Sequence, residues 1–156
     1  MKKTGIIFGL ISTATGMSLS AHAALVINEI DYDQPGSDTA EFIELFNTGS
    51  TSVSLENYFI DLINGSNSSS YRTIDLTGFS INANGYFVIC GDASLVANCD
   101  YSFTTNSSWI QNGSPVAVAL YLDSTIVDSL SYEGYQSPFT EGSALVLEDN
   151  NNEILS

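Results

Sequence analysis

Apolar and polar positions alternate along short stretches of this chain, and beyond its first 23 residues no helical period of 3.6 lasts more than a turn or two. Runs rich in Val, Ile, Phe and Tyr are separated by clusters of Gly, Asn, Ser and Asp. This pattern predicts strands near Leu25–Asp31, Glu41–Asn47, Tyr58–Ile63, Tyr71–Leu76, Tyr86–Cys90, Val116–Leu122, Thr125–Tyr132 and Ser143–Glu148. About eight short strands of this kind make an all-β sandwich. The clearest hairpin is VAVALYL-DS-TIVDSLSY. Its first arm puts Val116, Val118, Leu120 and Leu122 on one face and Ala117, Ala119 and Tyr121 on the other, because strand side chains alternate. Asn64-Gly65, Asn84-Gly85 and Asn112-Gly113 supply residues that tolerate positive φ between apolar runs. The stretches Ser66–Ser70 and Thr104–Ser108 read as exposed loops.

The N-terminus changes the picture. Lys2 and Lys3 precede an apolar run, Ile6 to Ile11, and Ala21-His22-Ala23 offers small residues where a signal peptidase reads, so residues 1–23 are expected to be a secretory signal peptide. Residues 24–156 then form one domain, secreted, periplasmic or held at the cell surface, with no membrane insertion, since no later segment approaches the roughly 20 apolar residues a spanning helix needs. Cleavage removes both lysines and the only histidine. Arg72 is then the single base against 18 acids, a formal charge of −17. Such a chain repels phosphates, and direct nucleic-acid binding is not expected. Cys90 and Cys99, an even pair close in sequence in an exported chain, are expected to form a disulfide.

The same inventory removes most catalytic chemistry. Without histidine or lysine there is no Ser-His-Asp or Cys-His nucleophile, no Schiff base and no zinc site of ordinary composition. Carboxylate chemistry survives, and the stretch VINEIDYDQPGSDTAEFIELFN carries six acids between Glu29 and Glu44. Alternation places Glu29, Asp31 and Asp33 on one face and sets Glu41 and Glu44 on opposite faces, so those two do not form a catalytic pair without a bulge. Asp31, Asp33, Asp38 and Glu41 surround a Gly turn, a spacing that admits calcium as the one conceivable cofactor, although it departs from an EF-hand. The acidic stretch is therefore read first as a solvated turn, second as a calcium site and last as an acid pair. Arg72 is expected to pair with a nearby carboxylate. Trp109 reads as a core or sheet-edge aromatic, and Tyr132 and Tyr135 as turn residues able to stack on a glycan.

Three stretches, LVINEIDYDQPGSDTAEFIELFNTGSTSVSLENYFI, TIDLTGFSINANGYFVICGDASLVANCDY and IQNGSPVAVALYLDSTIVDSLSYEG, together resemble the lamin-tail domain in the form carried by exported bacterial proteins. The resemblance implies an immunoglobulin-like β-sandwich and a binding or anchoring module without catalysis of its own. It also implies an alternative, that of an N-terminal accessory domain of an exported endonuclease/exonuclease/phosphatase-type hydrolase. Family members continue past the point where this chain ends at Ser156, so a C-terminal truncation is among the expectations. Val116 stands where members often carry Asp. The partner expected is a macromolecule of unknown identity, with protein ahead of glycan because few aromatics remain exposed once the strands have claimed their core.

Overall fold

The computed structural model describes residues 25–103, 109–113 and 115–142, so the expected signal peptide, the expected loop Thr104–Ser108 and the expected strand Ser143–Glu148 lie outside the described residues. The described residues form ten strands: β1 (Leu25–Asp31), β2 (Phe42–Asn47), β3 (Val53–Ser54), β4 (Tyr58–Asn64), β5 (Ser69–Asp75), β6 (Ser80–Ile81), β7 (Tyr86–Cys90), β8 (Cys99–Ser102), β9 (Val116–Leu122) and β10 (Thr125–Tyr132). One four-stranded sheet runs β1-β2-β7-β8, a second runs β10-β9-β4-β5, and β3 pairs with β6 in a small two-stranded ribbon. The two large sheets face each other as an immunoglobulin-like sandwich. Alternation builds the core between them. Ile43 and Leu45 from β2, Ile89 from β7, Ile60 and Leu62 from β4, and Val118 and Leu120 from β9 are buried together.

The chain departs from simple alternation in three places that matter later. In β1 the register shifts between Ile27 and Glu29, so Ile27 lies opposite Leu45 on the core side while Glu29 lies opposite Glu44 on the outer side. The bulge leaves Asn28 exposed and turns the acids outward. A matching irregularity in β10 brings the Asp128 carboxylate to accept the Ile27 N–H at 2.6 Å, tying the edges of the two sheets together. On β9 the Ala117 and Ala119 face is buried as deeply as the valine face. Their small side chains leave room for Phe139, which returns after β10 and packs on them with Ile63.

Two turn expectations need correction. Gly65 is required for space rather than for positive φ: a Cβ there would lie 1.6 Å from the Pro115 carbonyl oxygen, and positive φ in that turn falls on Ser68. Residues 69 and 70, read as loop, open β5. Strand β8 went unrecognised because CDYS is short and mostly polar. It pairs in parallel with β7, an arrangement that ordinarily takes a crossover of about a dozen residues or more. Here eight residues suffice, with the Cys90–Cys99 disulfide joining the end of β7 to the start of β8 at a Cα separation of 5.9 Å. Asp100 accepts the Val88 N–H where the register slips. Changing both cysteines, Cys90→Ser with Cys99→Ser, is expected to lower the unfolding free energy by about 2 to 3 kcal/mol. Urea denaturation measures this, and a loss below about 1 kcal/mol would mean that the β7–β8 ladder holds the loop unaided.

Candidate functional site

The acidic stretch divides at Glu41. Its position has the parity of Ile43 and Leu45, so its side chain enters the sandwich, where it is 1% exposed. There Oε2 accepts the backbone N–H groups of Trp109 and Ile110, the latter at 3.1 Å, while the Trp109 indole N–H donates back to the Glu41 carbonyl at 3.3 Å. The strap from Trp109 to Gly113 leads from the first sheet toward β9 and is held by side chains from both sheets. Tyr71 Oη accepts the Gln111 N–H at 2.9 Å, Tyr132 Oη donates to the Gln111 carbonyl at 3.0 Å, and Asn64 Nδ2 donates to Gln111 Oε1 at 3.1 Å. Trp109 is buried and meets Phe103 edge-on. The expected core role of Trp109 holds.

Burial pushes the Glu41 carboxyl from its ordinary 4.5 up to about 7, against the two amide bonds that favour its ionised form; Asp38 and Asp31 add repulsion. Its second oxygen, Oε1, is buried without a hydrogen-bond partner among the described residues. The neighbouring phenols are displaced too: burial raises Tyr71 and Tyr132, with Glu41 contributing to both.

Of the four residues read as a calcium set, Asp31 and Asp38 are brought together by one residue, Gln34, through its side chain and its backbone respectively. Gln34 Nε2 donates to Asp31 Oδ1 at 2.9 Å, the Gln34 N–H donates to Asp38 Oδ1 at 3.0 Å, and Gln34 Oε1 accepts the Ala40 N–H. Asp38 Oδ2 also accepts from Asn112 Nδ2 at 3.2 Å, joining the turn to the strap. Glu41 lies on the other side of the strand, engaged with Trp109 and Ile110. Among the described residues no group of three or more acids, histidines or cysteines converges in a way that could hold a metal ion. Asp33 is half-buried and has interactions of its own. Burial and the nearby Asp38 raise the Asp31 carboxyl despite its bond to Gln34.

The outward acids do something else. Glu29, Asp31 and Glu44 form one wall of an open groove of about 380 Å³ on the outer face of the first sheet. Phe42 and Val88 floor it, and the disulfide loop supplies Leu95, 53% exposed, as its lip. Sequence reasoning placed Glu29 and Asp31 on a shared face but missed the lip, since Leu95 reaches the groove only through the loop that Cys90 and Cys99 close. At the far end of the same face Phe46 and the exposed Tyr86 stack at 4.7 Å.

Two smaller expectations change. Arg72 carries its guanidinium carbon 5.5 Å from the centre of the Phe103 ring and, among the described residues, forms no ion pair; a cation over an aromatic face takes the place of the expected carboxylate. Tyr132 is a core residue packed on Tyr32 at 4.3 Å, which leaves Tyr135 alone of the two at the surface. A family model described as Lamin Tail Domain matches residues 18–134. No curated protein matches the chain.

Two measurements check this site. Since the folded-state pKa of Glu41 is raised, the folded protein holds an extra proton between about pH 4.5 and 7. The stability it contributes is complete below pH 4.5 and is lost as the pH rises through 7, by up to about 3 kcal/mol. Glu41→Gln is expected to flatten that slope and to be no less stable than the parent at pH 8; a slope unchanged in Glu41→Gln would show that other groups titrate there. Separately, calcium and magnesium are expected to raise the melting temperature equally, by screening, with Asp33→Asn making no difference. A calcium-specific rise lost in Asp33→Asn would restore the metal reading.

Proposed function

The chain belongs to the lamin-tail domain family, and on that footing we propose that it is an exported, non-catalytic module that binds or anchors another macromolecule at the cell surface or in the medium. The observation that carries this reading is the division of the acidic stretch. Glu41 is used inside the fold, whereas Glu29, Asp31 and Glu44 wall an open groove over apolar residues. Past residue 23 the sequence holds no histidine or lysine with which to activate a nucleophile beside them. The disulfide and the leader-like N-terminus support export, and among the described residues no helix is long and apolar enough to cross a membrane.

Protein suits the site better than glycan. Trp109 and Tyr132, two of the aromatics that could stack on a sugar, are in the core. Nucleic acid is disfavoured by a single base against 18 acids past residue 23. A hydrolase screen of the purified protein on ester, glycoside and phosphodiester substrates, with and without calcium, is expected to give no turnover. Turnover abolished by one carboxylate-to-amide change, such as Glu44→Gln, would replace the module reading with carboxylate catalysis.

A further inference from the structure

We infer that the outer groove of the first sheet is a docking site for an extended basic segment of a partner protein, one that sets a Lys or Arg head against Glu29, Asp31 and Glu44 and lays its methylenes and an apolar neighbour on Phe42, Val88 and Leu95. This rests on the module reading and names its partner. The wall is built of like charges at close quarters. Glu29 and Glu44 are directly opposite each other across β1 and β2, where side chains start about 4.5 to 5.5 Å apart and like charges destabilise the pair. Asn28 Nδ2 donates to Glu44 Oε1 at 2.7 Å, and no described cation serves either acid, since Arg72 lies over Phe103. Next along β1 on the same face is Asp31, opposite Phe42. A partner's cation would relieve this repulsion by charge-assisted hydrogen bonds.

The floor selects among cations. Phe42 and Val88 lie beside the wall in a groove of about 380 Å³, at the small end of the range for ligand sites, enough for one or two long side chains. Lys and Arg are the side chains that bury an aliphatic stem while keeping the charge at a polar edge. A second copy of this chain brings its own excess of carboxylates to the same surface and is opposed by charge.

The test is an amide-resolved NMR titration of the purified exported protein in about 0.15 M salt, where charges beyond about 8 Å are largely screened. The probe is a capped Leu-Lys-Leu-Lys-Leu peptide, with Gly-Lys-Gly-Lys-Gly, Leu-Glu-Leu-Glu-Leu and spermidine as comparators. The Leu-Lys peptide is expected to shift amides of β2, β7 and residues 95–98 saturably, with the comparators at least tenfold weaker. Glu29→Gln with Glu44→Gln is expected to raise Kd at least tenfold and Leu95→Ser at least threefold. Asp75→Asn, on the other sheet, is expected to leave it unchanged. Equal binding of spermidine or the Gly-Lys peptide, equal loss in Asp75→Asn, or no saturable shift would overturn the proposal. So would the same shifts on raising protein concentration alone, which would assign the groove to a second copy. A silent titration beside a silent hydrolase screen sinks the basic partner and leaves the module reading standing.

Discussion

A single buried carboxylate holds the strap that leads from one sheet to the other. Glu41 enters the core at the start of β2 and gathers the amides of Trp109 and Ile110, and from there Tyr71, Tyr132 and Asn64 take up Gln111. Buried polar groups must find partners, and an orphaned amide costs about as much as a lost hydrogen bond. A strap of irregular backbone between sheets has several such groups at once. Removing the carboxylate would therefore leave two amides unmet and tie Trp109 to Glu41 only through its indole bond to the backbone carbonyl. That dependence explains why so acidic a chain keeps an acid in its core, whereas burial, working against those amide bonds, drives the acid toward its neutral form.

Stability here is in tension with charge. One base against 18 acids past residue 23 means that the fold cannot rely on ion pairs, and carboxylates are matched to backbone and amide donors: Asp128 to Ile27, Asp100 to Val88, Asp31 and Asp38 to Gln34. Carboxylates bonded to N–H groups serve as local fasteners at bulges and turns, where ladder hydrogen bonds are missing. The lone cation is used as an aromatic neighbour. On the outer face of the first sheet, Glu29, Asp31 and Glu44 lie together beside apolar residues, and there an excess of negative charge becomes a property of a surface rather than a requirement of the fold.

The parity of a strand explains both halves of the acidic stretch. Residues 41, 43, 45 and 47 alternate inward, so Glu41 and Asn47 share the buried row with Ile43 and Leu45. Asn47 reaches the carbonyls of Thr51, Ile81 and Asn82 and receives the Gly49 N–H, organising the turn that carries the β3–β6 ribbon. Residues 42, 44 and 46 alternate outward and give the groove and the stacked aromatic end their shared face.

Alternation, turn residues and the cysteine pair were enough to read the sandwich, seven of its strands, the β9–β10 hairpin and the disulfide from the chain, because these depend on contacts between near neighbours or on a period of two. Glu41 was legible as facing away from Glu44 but not as buried on Trp109, because that partner lies 68 residues along the chain and its amides are brought there only by the closure of both sheets. The β1 bulge, which keeps Glu29 and Asp31 outward while Ile27 faces in, leaves no signature in composition; the pairing with β2 and β10 decides it. Strand β8 and the lip at Leu95 depend on a loop whose path is set by the bond between Cys90 and Cys99. The local code thus determined which residues are strands and which faces are apolar. Tertiary packing decided which acids were buried and which were left together at the surface, because desolvation and hydrogen-bond partners exist only once distant segments meet.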